Sequence, residues 1–165
     1  MDTPWLNEDQ LTAWMRLLAV VELLPGVLDT QLRRDAGLTH YEYYVLAMLS
    51  EAPDRTRRMS WLAQQTNATL PRLSNVVRRL EGKGLVERFT PADDLRASDV
   101  RLTEVGSDKV VATAPGHVVQ VRENVIDALD PEQLAQLTTI ADAILARIDP
   151  NATSATMSAV STPTG

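Results

Sequence analysis

The chain has 165 residues, 44% apolar and 23% charged, the balance of one soluble globular domain or a fused pair of small ones. Zero Cys excludes disulfides, thiolate metal centres and thiol redox switching, and two histidines, His40 and His117, leave almost no room for a multi-histidine metal site. The formal net charge of −6 at face value disfavours a nucleic-acid partner.

Resolved by segment, the charge reads differently. From Arg55 to Arg101 lie ten bases (Arg55, Arg57, Arg58, Arg72, Arg78, Arg79, Lys83, Arg88, Arg96 and Arg101) against five acids (Glu81, Glu87, Asp93, Asp94 and Asp99). That middle carries +5 and the flanks carry −11, and a local positive surface is all that a DNA-binding face requires. No apolar run approaches the ~18 residues that span a bilayer, and the start Met1-Asp2-Thr3-Pro4-Trp5 lacks the basic leader pattern. A cytoplasmic protein without a membrane partner is expected.

In chain order, Leu11, Trp14, Leu18, Val21, Leu28 and Leu32 alternate at spacings of three and four, which predicts a long amphipathic helix from about Asn7 to Asp35. Pro25-Gly26 should kink or break it, and Gly37 should stop it. Thr39 with Glu42 has capping-box spacing and opens a second helix carrying Tyr41, Tyr44, Val45, Met48 and Leu49. Pro53 and the Arg/Thr run after it read as a loop. Ser60 is expected to cap a short helix and Thr69 a longer one to about Gly82. Ala63, Asn67 and Leu73 supply the small crossing residue, the positive-φ turn residue and the buried aliphatic of a helix-turn-helix.

Val86 to Phe89 and Asp99 to Leu102 then read as two short strands around a polar loop, a hairpin wing. Thr103 opens a helix with Val111, Val118, Val121, Val125 and Leu129 on one face, interrupted at Pro115-Gly116. Asp130-Pro131-Glu132 restarts a helix that carries Leu134, Leu137, Ala141, Ile144 and Ile148. The composition after Pro150 predicts disorder. The fold class is therefore mainly α with a small β-hairpin wing, in four segments. Residues 1–36 form an N-terminal dimerisation helix and 37–102 a winged helix-turn-helix, with the helix-turn-helix at 60–83 and the wing at 86–102. Residues 103–149 form C-terminal dimerisation helices and 150–165 a tail.

The order of these elements resembles the MarR family of winged-helix transcriptional regulators. The resemblance rests on Leu38-Thr39-His40-Tyr41-Glu42-Tyr43-Tyr44-Val45-Leu46, on Met59-Ser60-Trp61-Leu62-Ala63, and on Leu73 to Glu81 followed by Gly84-Leu85-Val86. It also rests on Asp94-Leu95-Arg96-Ala97-Ser98 with Val100-Arg101-Leu102-Thr103 and Gly106. Leu95 departs from the Arg or Gly usual in the family.

Arg72 and Asn75, one turn apart, suit guanine and adenine edges and are expected to read bases. Thr69 and Ser74, with Pro71 between them on the helix N-terminus, are expected near phosphate, and Arg78 and Arg79 near a backbone strand. The resemblance implies that Arg96 enters a minor groove, with Asp94 as its ion-pair partner. It also implies a homodimer acting as a repressor on an inverted repeat. The terminal helices supply the interface, through Leu11, Leu18, Val21, Val125, Leu129, Leu134, Leu137 and Ile144. A small aromatic or phenolic effector would bind among Trp14, His40, Tyr41, Tyr44, Met48 and His117. No cofactor or metal is expected. No phosphate loop, nucleophile triad or metal-ligand motif points to an enzyme. The competing reading is a winged-helix protein-interaction module without DNA binding.

Overall fold

A computed structural model describes residues 3–92 and 94–148; the expected tail at 150–165 lies outside them. Helix α1 runs over Glu8–Ala36, α2 over His40–Ser50, α3 over Met59–Gln65, α4 over Leu70–Gly82, α5 over Glu104–Asn124 and α6 over Pro131–Ile148. Strands β1 (Thr56–Arg58), β2 (Val86–Phe89) and β3 (Asp99–Leu102) form one antiparallel sheet in the order β1-β3-β2.

Local chemistry sets most boundaries. Asn7 and Gln10 form a capping box at the start of α1, and Gly37 ends that helix at φ 65°, a conformation that costs glycine little. Thr39 and Glu42 cap α2 reciprocally, Thr103 accepts from the Gly106 N–H at the start of α5, and Asp130 and Gln133 do the same work for α6. Between α3 and α4, Asn67 takes φ 49°, Ala63 is buried and Leu73 is fully buried, so the turn has the expected chemistry.

Three expectations are corrected. First, α1 and α5 each run unbroken through Pro25 and Pro115. Both prolines are exposed, and so are Val21 and Val111, whose carbonyls lose their helical donors and are free to bond water. Second, α3 begins at Met59 with Arg58 as an N-cap whose side chain makes no capping hydrogen bond, so Ser60 sits inside the helix. Third, the segment read as a loop after Pro53 contains β1, which pairs with β3 in the register Thr56↔Arg101 to Arg58↔Asp99. The wing is thus a three-stranded sheet. Helix α1 is long and apolar enough, by length and composition, to cross a membrane, but Arg16 and Glu22 interrupt every purely apolar run, as expected.

The core lies under the sheet, where Leu46, Leu49, Leu62, Leu73, Val77, Leu80 and Val100 are all fully buried. Helix α5 packs along α1, and α2 touches both, joining the winged lobe to the long helices. Much of the apolar surface of the long helices is nevertheless uncovered. Trp14, Val20 and Leu23 of α1 are exposed, and so are Leu137, Ile140 and Ile144 of α6, a helix that buries no residue at all.

Candidate nucleic-acid interface

Helix α4 is strongly two-sided. Leu73, Val76, Val77 and Leu80 face the core, while Arg72, Asn75, Arg78 and Arg79 are exposed on the opposite side. Thr69 caps the helix by accepting from the Arg72 N–H at 3.3 Å, and Pro71 sits in the first turn, where a missing donor costs nothing. The Thr69 hydroxyl keeps its own hydrogen to donate. The Arg72 guanidinium lies 4.8 Å from the centroid of Tyr41, so one face of the cation is supported by an aromatic ring while its edge stays open. Tyr41 is held in turn by a 2.7 Å hydrogen bond between its hydroxyl and that of Thr66. Arg78 Nη1 donates to Asn75 Oδ1 at 3.0 Å, which couples an expected backbone contact to an expected base reader.

The ten bases of the middle segment divide by partner. Arg55 meets Glu104, Arg58 meets Asp94 and Asp99, Arg88 meets Glu81, and Arg101 meets Glu87. Arg79 Nε and Lys83 Nζ each donate at 3.0 Å to Glu42, and Lys83 also donates to the Gly37 carbonyl. Among the described residues, Arg57, Arg72, Arg78 and Arg96 have no carboxylate partner. Two of these, Arg57 over Trp61 at 4.7 Å and Arg72 over Tyr41, stack on aromatic rings.

Glu42 is 2% exposed. Burial pushes its carboxyl up, but the Thr39 N–H, Arg79 and Lys83 together outweigh burial and hold it below the ordinary glutamate value. It is an ionised carboxylate that ties the end of α4 to the start of α2. Arg79 is therefore a structural tie between α4 and α2 within the winged lobe, and its side chain, expected near a backbone strand, stays half exposed. Ser74 is also engaged elsewhere: half-buried, its hydroxyl and carbonyl accept from Arg88 of β2 at 3.2 and 3.3 Å.

At the wing, Arg96 is exposed, and the partner role expected of Asp94 is corrected. Asp94 Oδ1 accepts from the Arg96 backbone N–H at 3.1 Å, whereas its ion pair, through Oδ2, is with Arg58 of β1 at 3.1 Å. Arg57 and Arg58 stand in the basic count of the sequence, but their roles depend on β1, which the sequence does not announce.

The residues expected around an effector do not converge. Trp14 lies fifteen residues up α1 from Asp29, about 22 Å along a helix axis. Tyr41 and Tyr44 bond toward α3 and its turn, and Met48 is core. His40 and His117 do meet, with ring centroids 6.0 Å apart, and Tyr43 packs 4.8 Å from His117. Burial lowers both histidine pKa values; Asp29, which accepts from the His40 N–H at 2.9 Å, partly offsets this for His40, and His40 lowers His117 further.

The comparisons with known proteins agree with this geometry. Sco3205, a MarR family transcriptional regulator from Streptomyces coelicolor solved in complex with DNA, is 37% identical and superposes with a TM-score of 0.88, over 93% of this chain and 96% of that one. The chain belongs to the MarR family. A second MarR family regulator from Streptomyces coelicolor, AbsC, is 36% identical with a TM-score of 0.86, over 90% of this chain and 100% of the other. The MarR family model itself matches residues 36–97, the span from the end of α1 to the wing loop. The uncharacterized HTH-type transcriptional regulator YdcH of Bacillus subtilis (strain 168) is 35% identical over 82 residues, which span 47% of this chain and about half, 54%, of that protein.

Proposed function

We propose that this MarR family protein is a homodimeric, sequence-specific double-stranded-DNA-binding transcriptional regulator of the cytoplasm. The observation that carries the reading is the open cationic surface: Arg72, Asn75 and Arg78 on the acid-free outer face of α4, with Arg96 at the tip of the neighbouring wing. Arg72 and Asn75 are offered to base edges in a major groove, Thr69 to phosphate beside them, and Arg96 to the adjacent minor groove. The DNA complex of Sco3205, over a third identical along nearly its whole length, supports the assignment.

The dimer would close over the terminal helices, residues 1–36 and 103–149, leaving 37–102 as the reading lobe. Leu11, Val21, Leu137 and Ile144 are exposed there in the single chain, and Leu18, Val125, Leu129 and Leu134 are half-covered. A two-fold axis through that seam presents two copies of α4 to an inverted repeat, with half-sites about one helical turn apart. Repression is the outcome that the family resemblance implies for such a dimer. An aromatic effector would act at the His40, Tyr43 and His117 junction, where α2 of the reading lobe meets α5 of the dimer lobe.

The test is a titration of the full chain against random duplex DNA, and against duplexes enriched from a random pool, at several salt concentrations. Enrichment of an inverted repeat, with affinity falling steeply with salt, is expected; each phosphate neutralised contributes about −0.9 to the log–log slope. Absence of binding to any duplex at low salt would favour a winged-helix interaction module instead.

A further inference from the structure

We infer that Arg58, on β1, is a positioning residue for the wing: it anchors Asp94, and Asp94 fixes the backbone from which Arg96 projects. The inference rests on the DNA-binding reading above and extends it to a strand outside the reading helix.

The geometry is a chain of three contacts. Arg58 Nη1 donates to Asp94 Oδ2 at 3.1 Å, while Arg58 Nε lies 3.5 Å from Asp99 on β3, so the guanidinium is held between the sheet and the loop. The other oxygen of Asp94 accepts from the Arg96 N–H at 3.1 Å, two residues on, and the Ala97 N–H closes the turn on the Asp94 carbonyl at 3.0 Å. An aspartate bonded to the backbone two residues ahead sets a tight turn locally, but it leaves that turn free to swing as a body. The Arg58 contact removes this freedom by tying the turn to β1. Strand β1 is itself fixed in register against β3, and the Met59 N–H that follows it donates to the Ser98 carbonyl at 2.9 Å. Leu95, 82% exposed, adds no apolar anchor to the loop. The latch is therefore polar and lies where the wing loop leaves the sheet.

An arginine that must enter a narrow groove loses less freedom on binding when its backbone is already fixed. Arg58 and Asp94 are both partly exposed, with side-chain exposures of 44% and 41%, so the pair is worth no more than an exposed ion pair. Converted to affinity, that ceiling is up to about five-fold per protomer.

The experiment uses the full chain and a duplex it enriches from a random pool, with Arg58→Gln, Asp94→Asn and Arg96→Ala alone and combined. Arg58→Gln and Asp94→Asn are each expected to weaken binding by up to about five-fold per protomer. They should flatten the A·T preference at the positions flanking the major-groove contacts and leave the preference at those contacts unchanged. The double variant Arg58→Gln/Asp94→Asn should be no weaker than either single, and both changes should be silent in an Arg96→Ala background. Arg58→Lys, which keeps the charge and reaches Asp94, should recover part of the loss; melting curves identify any variant that has lost its fold, and Arg58→Lys then carries the comparison. Additive losses, or a full loss persisting in the Arg96→Ala background, would mean that Arg58 touches phosphate itself and would overturn the latch. So would unchanged affinity and flanking preference. Failure of the wild-type chain to enrich any duplex overturns instead the DNA-binding reading on which the latch depends.

Discussion

Replacing Gly106 by alanine sets two effects against each other, and the structure says which wins. Gly106 is buried in the first turn of α5, and helix propensity alone favours alanine over glycine by at most about 1 kcal/mol. A Cβ built there would lie 2.0 Å from the Leu85 carbonyl oxygen and 2.7 Å from Leu102 Cδ1. An ordinary carbon–oxygen contact is about 3.3 Å, so backbone must move by more than 1 Å. Leu85 has little freedom to do so, because its carbonyl accepts the Thr103 N–H at 3.1 Å and its side chain is buried in the core. Overpacking against fixed backbone costs about 3 kcal/mol, and subtracting the propensity gain leaves about 2 kcal/mol of net destabilisation. For a chain of this length that is a fall in Tm of roughly 4–8 °C. Thermal and urea unfolding should be run at matched protein concentration, since association would couple to stability. Gly116→Ala is the control in the same helix: its Cβ would meet only Gln31 Nε2, at 3.5 Å, and the variant should be neutral or slightly stabilised. If Gly106→Ala is as stable as wild type, the close approach of α5 to the exit of α4 has been misread.

Three other outcomes follow from the same structure. Glu42→Gln should cost about 1–2 kcal/mol at neutral pH, less than a fully buried pair because Arg79 and Lys83 are half exposed. Since the folded carboxyl titrates below its ordinary value, that stability is present above the ordinary glutamate pKa and is lost as pH falls through the lowered folded value; variant and wild type should converge in acid, as urea unfolding against pH would record. His40 and His117 are held less basic in the fold by burial, so the unfolded chain binds more protons and Tm should fall between about pH 7 and about pH 5; His117→Gln should reduce that slope, and an unchanged slope would place the titration elsewhere. Leu137→Glu, on a helix with no buried residue, should leave the single-chain fold intact but weaken the dimer by on the order of 100-fold, because a two-fold interface counts each change twice; sedimentation reads this directly, and an unchanged dimer would remove α6 from the seam.

What could be read from the sequence was local. Caps at Thr39, Thr69 and Thr103 declare themselves within three residues, and Ala63, Asn67 and Leu73 specify the helical turn by size, positive φ and burial at fixed offsets. What could not be read was long-range. Arg79 and Lys83 look like free helix-face cations until α2 delivers the Glu42 carboxylate from some forty residues away. Asp94 has a local candidate in Arg96, yet its charge goes to Arg58, thirty-six residues back, because β1 adds to the sheet beside β3. A three-residue strand rich in arginine carries too little alternation to announce itself, and its pairing is decided by the partner strand. The prolines misled for a related reason: the rule that proline breaks a helix prices an unmatched carbonyl as though it were buried, and on the open faces of α1 and α5 it is not.

The charge of the middle segment shows why that distinction matters for function. Counting residues gives +5, but a count cannot say whether a cation is directed at solvent or spent on its own fold. Six of the ten bases face carboxylates, and two of those six converge on the single buried Glu42. The field available to a phosphate strand comes chiefly from Arg57, Arg72, Arg78 and Arg96, which the paired residues hold in place. On that account the paired bases set geometry, and the four without a carboxylate partner among the described residues set attraction. Removing Arg79 should disturb how α4 sits on α2 before it changes the salt dependence of binding, whereas removing Arg72 should do the reverse.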